Sequence, residues 1–578
     1  MLASAAEIPD QDSRNTYTPN TDTHFTMTPY QSRGDWEARK SALREQILAA
    51  AGLLPLPPKG PLKPVMFGRL EREGYTVENV YFESMPGYYL AGNLYRPRNV
   101  QGKVPGVLLA HGHWTYGRLE EQPLFSGQSL GASLARQGYV AFAYDMVGYN
   151  DSVQTPHNFG GATEQLWAFG PLGLQLWNSI RALDFLLSLD SVDPAKIGMT
   201  GASGGGTQTF LLAAVDDRVR YVAPVNMVSG IMQGGDYCEN APGLRWDTFN
   251  VEIASAIVPR PLLLVSASGD WTHNVPHEEF PAVQRIYTLY DHASEVSTVQ
   301  IKEEHNFNKQ SREAVYEFFG RYFQPGSGGA SLQEKEVIID KLQDMLAFHG
   351  RSLPAGAINY DQLFSAWRAM SGKQTAEENV ASLRKNLTTI LGVEWPHDVL
   401  KGGDGERVIL SRPGKGDRIP GIFVPGKGKP IVIADIDGAE KARNKASLAK
   451  WVKSGRPVLL IDAFQTGSAV APRDRSHKFF LTFNRSDDTN RVQDILTAAA
   501  YLQASGHDQI EVAGEGRAAL WCLFAAAVAP GHLTALGDTA QFQGRDEDFE
   551  SAFPVPGIQR AGGINAVRRL VAESGTGR

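Results

Sequence analysis

The apolar positions of this chain recur with two periods, and the period changes along its length. Between residues 35 and 52, Leu43, Ile47, Leu48 and Ala51 fall on one helical face, and Gly52 and Pro55-Leu56-Pro57-Pro58 end the run. Residues 75–83 and 88–95 read as short strands. From there to about residue 325, apolar runs alternate with helix-like stretches. Residues 105–110, 196–200, 261–269 and 296–302 suit strands, and 207–215 and 311–323 suit helices. Continuous apolar strands alternating with helices specify an α/β fold with a doubly wound, mostly parallel sheet. Residues 1–34 are polar and rich in Thr, Asn and Asp, as expected of an extended arm.

The pattern then repeats in weaker form. Leu383-Arg384-Lys385-Asn386-Leu387, with Gly392 and Pro396 behind it, parallels Leu43-Arg44-Glu45-Gln46-Ile47 with Gly52 and Pro55. The strand-like 430–434 and the loop Asp435-Ile436-Asp437-Gly438 parallel the strand ending at His111-Gly112-His113. The strand ending at Asp462 parallels the one ending at Asp145. Residues 401–578 are therefore expected to form a second, smaller domain that is a decayed copy of the first. Residues 326–400 read as a helical connector opened by Pro325-Gly326-Ser327-Gly328-Gly329.

Bulk composition narrows the function classes. The 578 residues are 42% hydrophobic and 21% charged, which is globular. A net charge of −7 with no basic run argues against nucleic acid as a partner. No stretch reaches the length of a membrane helix. Two cysteines, Cys238 and Cys522, give no disulfide framework and no cysteine-based metal site. The first seven residues lack a basic segment and an apolar segment of a signal peptide, while their Ala-Ser-Ala-Ala run looks like the remnant of a cleavage site.

The chemistry centres on Gly201-Ala202-Ser203-Gly204-Gly205, set between a strand-like and a helix-like run. A Ser on such a strand-to-helix turn needs small neighbours two positions away, and the helix N-terminus behind it offers free N–H groups to a developing oxyanion. An acid and a His are then expected further along the chain, in that order. Asp270 follows an apolar strand broken at Gly269, although Gly-Asp is also an ordinary turn pair. His305 lies between the last strand and the last helix of the first half. Its rivals His273 and His277 sit too close behind Asp270, and His292 precedes the last strand. The oxyanion donors are expected to be the N–H groups of Gly204 and His113. His111 reads as a structural hydrogen-bonding group. His111 and His113 have metal-ligand spacing, but no third ligand is evident nearby, so no metal and no cofactor is expected. In the second copy, Gly516 of Ala513-Gly514-Glu515-Gly516-Arg517 stands at the position of Ser203, 54 residues after Asp462 where Ser203 is 58 after Asp145.

Taken together, His111-Gly112-His113-Trp114, Tyr144–Ser152 with its Asp145-Met146-Val147-Gly148 start, Gly201–Gly206, Gly269-Asp270-Trp271-Thr272 and His305-Asn306-Phe307-Asn308 resemble the acetyl xylan esterase and dienelactone hydrolase branch of the α/β-hydrolases. The resemblance covers about residues 36–325. It implies a serine carboxylesterase acting on a carbohydrate ester, with an acetyl ester first and a uronate methyl ester as the alternative. Relatives of this kind are often exported. This chain carries Gly204 where such acetyl esterases often carry Gln.

Two other functions remain open on the sequence. A prolyl-oligopeptidase-like peptidase shares the catalytic order but normally adds an N-terminal propeller, for which residues 1–100 are too short. A non-enzymatic binding protein would have a broken first site. For substrate contacts, the long polar loop from 226 to 250 is expected to form a wall of the site. Trp114, Trp246 and Trp271 are candidates for stacking on sugar rings. Arg118 and Arg245 are candidates for a uronate carboxylate. The second domain is expected to pack on the first or line its cleft.

Overall fold

A computed structural model describes residues 7–99, 101–325, 332–529, 531 and 533–576. The chain divides into two compact units, one of residues 21–160 and 169–367, the other of residues 7–20, 161–168 and 368–576.

The first unit is built on nine strands: β1 (Val65–Arg72), β2 (Tyr75–Met85), β3 (Tyr88–Pro97), β4 (Val104–Ala110), β5 (Val140–Tyr144), β6 (Val192–Ala202), β7 (Tyr221–Val225), β8 (Leu262–Ala267) and β9 (Val296–Ile301). Their order across the sheet is β1-β2-β3-β5-β4-β6-β7-β8-β9. The first four in that order pair antiparallel, and from β5 onward every pair is parallel. β1 was invisible in the pattern because it is an edge strand whose residues are exposed or half-exposed, so no hydrophobic alternation marks it. β4, β5, β7 and β8 are almost wholly buried, which is why they read as plain apolar runs.

Helices cover the sheet: α1 (Arg33–Ala50), α2 (Gly127–Arg136), α3 (Pro171–Leu187), α4 (Gly204–Val215) and α5 (Lys309–Phe323). α5 has Asn308 as its N-cap, the side chain accepting from the Ser311 N–H at 3.1 Å. Its Val315, Phe319 and Phe323 enter the core. Gly198 on β6 makes room for this face, since a Cβ there would lie 2.8 Å from a Phe319 ring carbon.

The boundaries differ from those expected. The arm over residues 1–34 divides at residue 20, and within the second unit Arg14 of the short helix Ser13–Thr16 pairs with the buried Asp494 at 2.7 Å. The Gly- and Ser-rich start of the expected connector, 326–329, lies outside the described residues. Leu332 and Met345 just beyond it are buried in the first unit's core. The Met345 carbonyl accepts from Asn93 Nδ2 at 2.9 Å. That stretch is therefore built into the first unit, and the division falls inside helix α6 (Tyr360–Glu377). Among the described residues no helix is long and apolar enough to cross a membrane.

The second unit has seven strands: β10 (Leu400–Gly402), β11 (Arg407–Ser411), β12 (Ile419–Val424), β13 (Ile431–Ala434), β14 (Val458–Ile461), β15 (Ile510–Ala513) and β16 (Leu533–Leu536). Their order is β10-β11-β12-β14-β13-β15-β16. Strand for strand this is the wiring of β1-β2-β3-β5-β4-β6-β7, with the same change from antiparallel to parallel pairs. Counterparts of β8 and β9 are missing among the described residues.

The turn between strand and helix persists in both units. Ser203 sits at φ 59°, ψ −126°, and Gly516, before α7 (Arg517–Val528), at φ 53°, ψ −120°. A non-glycine residue held at such angles is strained by roughly 1–3 kcal/mol. A Cβ at Gly516 would touch nothing within 4 Å, so only the backbone angle opposes a side chain there. Opposite effects are expected from two substitutions. Ser203→Gly should raise the unfolding free energy of the first unit by ~1 kcal/mol, and Gly516→Ser should lower that of the second by about as much. Denaturant unfolding of the full chain checks both signs.

Candidate active site

The carboxyl ends of β4, β6, β8 and β9 bring together residues far apart in sequence. Ser203 is held on its turn by close packing of backbone. A Cβ at Gly201 would lie 2.3 Å from the Ala110 carbonyl oxygen, and one at Gly205 only 2.1 Å from the same atom. Both positions two residues from Ser203 must therefore be glycine. The Ser203 N–H donates to the Val225 carbonyl at 3.1 Å, tying the turn to the end of β7.

Loop 111–114 lies directly against the turn, since a Cβ on Gly112 would sit 3.0 Å from Ser203 Cβ. His111 is buried within it. Its Nε2 accepts from the Met146 N–H at 2.9 Å, so its Nδ1 carries the proton and donates to the Gly112 carbonyl at 2.8 Å. Burial holds this imidazole down to about 3, fixing it in the neutral form. The N–H of Gly204 opens α4, where no intrahelical acceptor exists.

Asp270 and His305 meet across the ends of β8 and β9. His305 Nδ1 donates to Asp270 Oδ2 at 2.8 Å. Asp270 Oδ1 accepts from the Thr272 N–H at 2.7 Å and from Thr272 Oγ1 at 2.5 Å. With the carboxylate fully engaged, the imidazole is fixed in orientation and tautomer, and His305 Nε2 is left without a partner among the described residues. The His305 loop is pinned from both sides. Asn226 Nδ2 donates to the Asn306 carbonyl at 2.7 Å, and the Phe307 N–H donates to the Leu124 carbonyl at 2.7 Å. Asn226, the residue after the one that holds Ser203, thus joins the His305 loop to the Ser203 turn. It has φ 51°, a left-handed conformation that Asn tolerates better than most residues. His273 and His277 fall on the turn after Asp270, where His273 Nδ1 bonds the Asp270 carbonyl and not its carboxylate.

The substrate candidates separate into two groups. Trp271 lies over the His305 ring at 4.4 Å between centroids, and Trp114 stacks on Phe125 at 4.2 Å, both half-buried. Arg118, Arg245 and Trp246 are instead buried, which corrects the expectation for them. Arg118 is 2% exposed and its guanidinium is held by Asp145 and by Asp151, the latter at 2.7 Å, with its Nε on Asn93 at 2.8 Å. Arg245 is 1% exposed and bonds Asn250 Oδ1, the Glu239 carbonyl and Asn240 Oδ1, all at 2.9–3.0 Å. Both arginines brace loops from within. Loop 226–250 accordingly has much of its polar content turned inward, with Gln233, Glu239 and Asn250 buried.

Pattern reading also missed a cluster. His157, Asp236 and Cys238 close on His113, so ligand-type side chains do reach the loop that seemed to lack them, and Cys238 is not isolated from histidine. They come from loops after β5 and β7, and only the spatial order β5-β4-β6-β7 makes those loops neighbours of the one after β4.

The buried arginine gives a direct test. Arg118→Met leaves Asp145 and Asp151 without their cation in the interior, and should lower the unfolding free energy by roughly 3–5 kcal/mol. An arginine reserved for substrate would leave thermal and denaturant unfolding unchanged.

Comparison with known proteins places the chain. Residues 90–226 match the model of the dienelactone hydrolase family. The solved structure of methylesterase BT1017 is 32% identical with a TM-score of 0.51, over 60% of this chain and 78% of that one. The Bacillus subtilis protein YtaP is 27% identical over 247 residues, covering 38% of this chain and 78% of its own length. With an identity of 32% over most of a methylesterase, and the family match spanning β4 to the Ser203 turn and beyond, the chain belongs to the dienelactone hydrolase family of α/β-hydrolases and is a serine hydrolase of the esterase kind.

Proposed function

We propose that this protein hydrolyses an ester on a carbohydrate, with Ser203 as nucleophile, His305 as general base and acid, and Asp270 as the group that orients His305. The observation that supports this reading most directly is the 2.8 Å bond from His305 Nδ1 to Asp270 Oδ2, with Nε2 left unbonded. Ser203 Oγ attacks the ester carbonyl carbon while its proton passes to His305 Nε2. The negative charge formed on the carbonyl oxygen is met by the N–H groups of Gly204 and His113, each such donor contributing about 3 kcal/mol in comparable sites. Collapse expels the alcohol, which takes the proton from His305. Water then gives a proton to His305 as its oxygen attacks the acyl carbon, the bond to Ser203 Oγ breaks, and Oγ takes that proton back from His305.

Two ester types fit this chemistry and differ in which part leaves first. The likeness to a methylesterase supports a methyl ester, in which methanol leaves and the sugar acid is held on Ser203. The motifs around His113, Ser203 and His305 support an acetyl ester, in which the sugar hydroxyl leaves, the acetyl group is held on Ser203 and acetate is released by water. Since Arg118 and Arg245 are engaged inside the fold, a neighbouring uronate would need other partners. Half-buried Trp114 and Trp271 offer ring faces near the reacting groups.

Purified wild type and Ser203→Ala should be compared on methyl-esterified pectin and on acetylated xylan, scoring methanol and acetate. Ser203-dependent methanol is the expected result, with kcat falling at least ~10⁴-fold in Ser203→Ala and circular dichroism unchanged. Acetate in place of methanol selects the acetyl ester. Turnover retained by Ser203→Ala overturns the assignment of the nucleophile.

A further inference from the structure

Beside the proposed oxyanion loop, three chain segments converge on one point. His113 follows β4, His157 follows β5, and Asp236 and Cys238 lie in the long loop after β7. The ligand atoms of His113, His157 and Cys238 all lie within 4.8 Å of one another. His113 Nε2 is 3.0 Å from Cys238 Sγ and 3.6 Å from Asp236 Oδ2, and His157 Nε2 is 3.7 Å from the same carboxylate oxygen. The two imidazoles meet edge to face at 5.3 Å.

Protonation at His157 is fixed by its other nitrogen. Nδ1 is 2.6 Å from the Val147 carbonyl, which can only accept, so Nδ1 carries the hydrogen. Nε2 is left with a lone pair, buried, and without a hydrogen-bond partner among the described residues. A carbonyl holding the far nitrogen of an imidazole is the usual support of a metal-binding histidine. Cys238 is 1% exposed and its sulfur approaches His113. A thiol-to-imidazole hydrogen bond alone would satisfy that pair and leave the buried lone pair of His157 unmet.

We propose that His113, His157, Cys238 and Asp236 bind one zinc-type divalent ion. Two imidazole nitrogens, a thiolate and a carboxylate oxygen are the donor set of a borderline-soft tetrahedral ion. With metal–nitrogen and metal–oxygen bonds near 2.0–2.2 Å and a metal–sulfur bond near 2.3 Å, tetrahedral ligands stand about 3.3–3.6 Å apart. The measured 3.0, 3.6 and 3.7 Å bracket that spacing. On binding, the Cys238 S–H loses its proton to solvent and the thiolate donates an electron pair to the ion. With four protein ligands the site is closed, and its role is structural. It clasps the loops after β5 and β7 to His113.

The same geometry accounts for Gly204. A Cβ at that position would lie 2.7 Å from His113 Cε1 and 3.1 Å from its Nδ1. The missing side chain beside Ser203 is what lets the His113 ring lie where the cluster forms.

The test uses the untagged full chain, purified without chelator. Metal analysis should find about one zinc per chain in wild type, and little in His157→Ala or Cys238→Ser. Cobalt added to chelator-stripped wild type should give the near-ultraviolet thiolate-to-cobalt band and the visible bands of a tetrahedral ion. Cys238→Ser should lack the first. Asp236→Asn, a milder change that keeps the fold if the others fail, should bind cobalt at least ~10-fold more weakly. Wild type with neither zinc nor a thiolate-to-cobalt band overturns the site, as does a band that survives in Cys238→Ser. Neither readout depends on Ser203 or on turnover.

Discussion

The first unit depends on one close approach. The carbonyl oxygen of Ala110, at the end of β4, occupies the space a Cβ would need at both Gly201 and Gly205. That contact puts the ends of β4 and β6 in van der Waals touch. It forces the chain to turn at Ser203 through a backbone angle that only glycine adopts freely, and lays the loop from His111 to Trp114 beside the side chain so raised. The strain at Ser203 is thus imposed by the sheet packing around it, and the side chain is left half-buried on the turn.

The second unit shows which parts of this arrangement the fold needs. It keeps the strand order, the change from antiparallel to parallel pairing and the turn angle, now at Gly516. Gly514 is also kept, since a Cβ there would lie 2.6 Å from the backbone of Ala518. Strand order and helix packing bury the core, including Ile431, Ile433, Val458, Leu460 and Ala513, whatever residue stands on the turn. With Gly in place of Ser, the hydroxyl and the strain are both absent. Strands equivalent to β8 and β9, which bring Asp270 and His305 to the first unit's site, have no counterpart among the described residues.

Charge in the first unit is arranged as internal bracing. Arg118 is buried against Asp145 and Asp151, and Arg245 is buried with hydrogen bonds to Asn240 and Asn250. A buried ion pair adds little net stability over apolar residues of the same size, but breaking one is expensive, so such networks fix one loop conformation against others. The loops at the carboxyl edge are held in this way, which suits a site whose groups must meet within a fraction of an ångström.

Sequence by itself determined the local elements and the order of the candidate residues along the chain. Apolar periodicity marked α1, the buried strands and α5, since burial on both faces leaves an uninterrupted apolar run. Glycine spacing marked the turn at Ser203, since the steric demand is local. Of the expected residues, Asp270 and His305 meet across the neighbouring ends of β8 and β9, while Ser203 stands at the end of β6. What only the tertiary structure decided depends on which loops become neighbours. Arg118 and Arg245 read as candidates for a substrate carboxylate, because nothing in their flanking residues shows that Asp145, Asp151 or Asn250 will surround them. β1 escaped notice because an exposed edge strand carries no hydrophobic alternation. The approach of His157, Asp236 and Cys238 to His113 arises from the crossover that seats β4 between β5 and β6, a relation among segments far apart in sequence that no local pattern encodes.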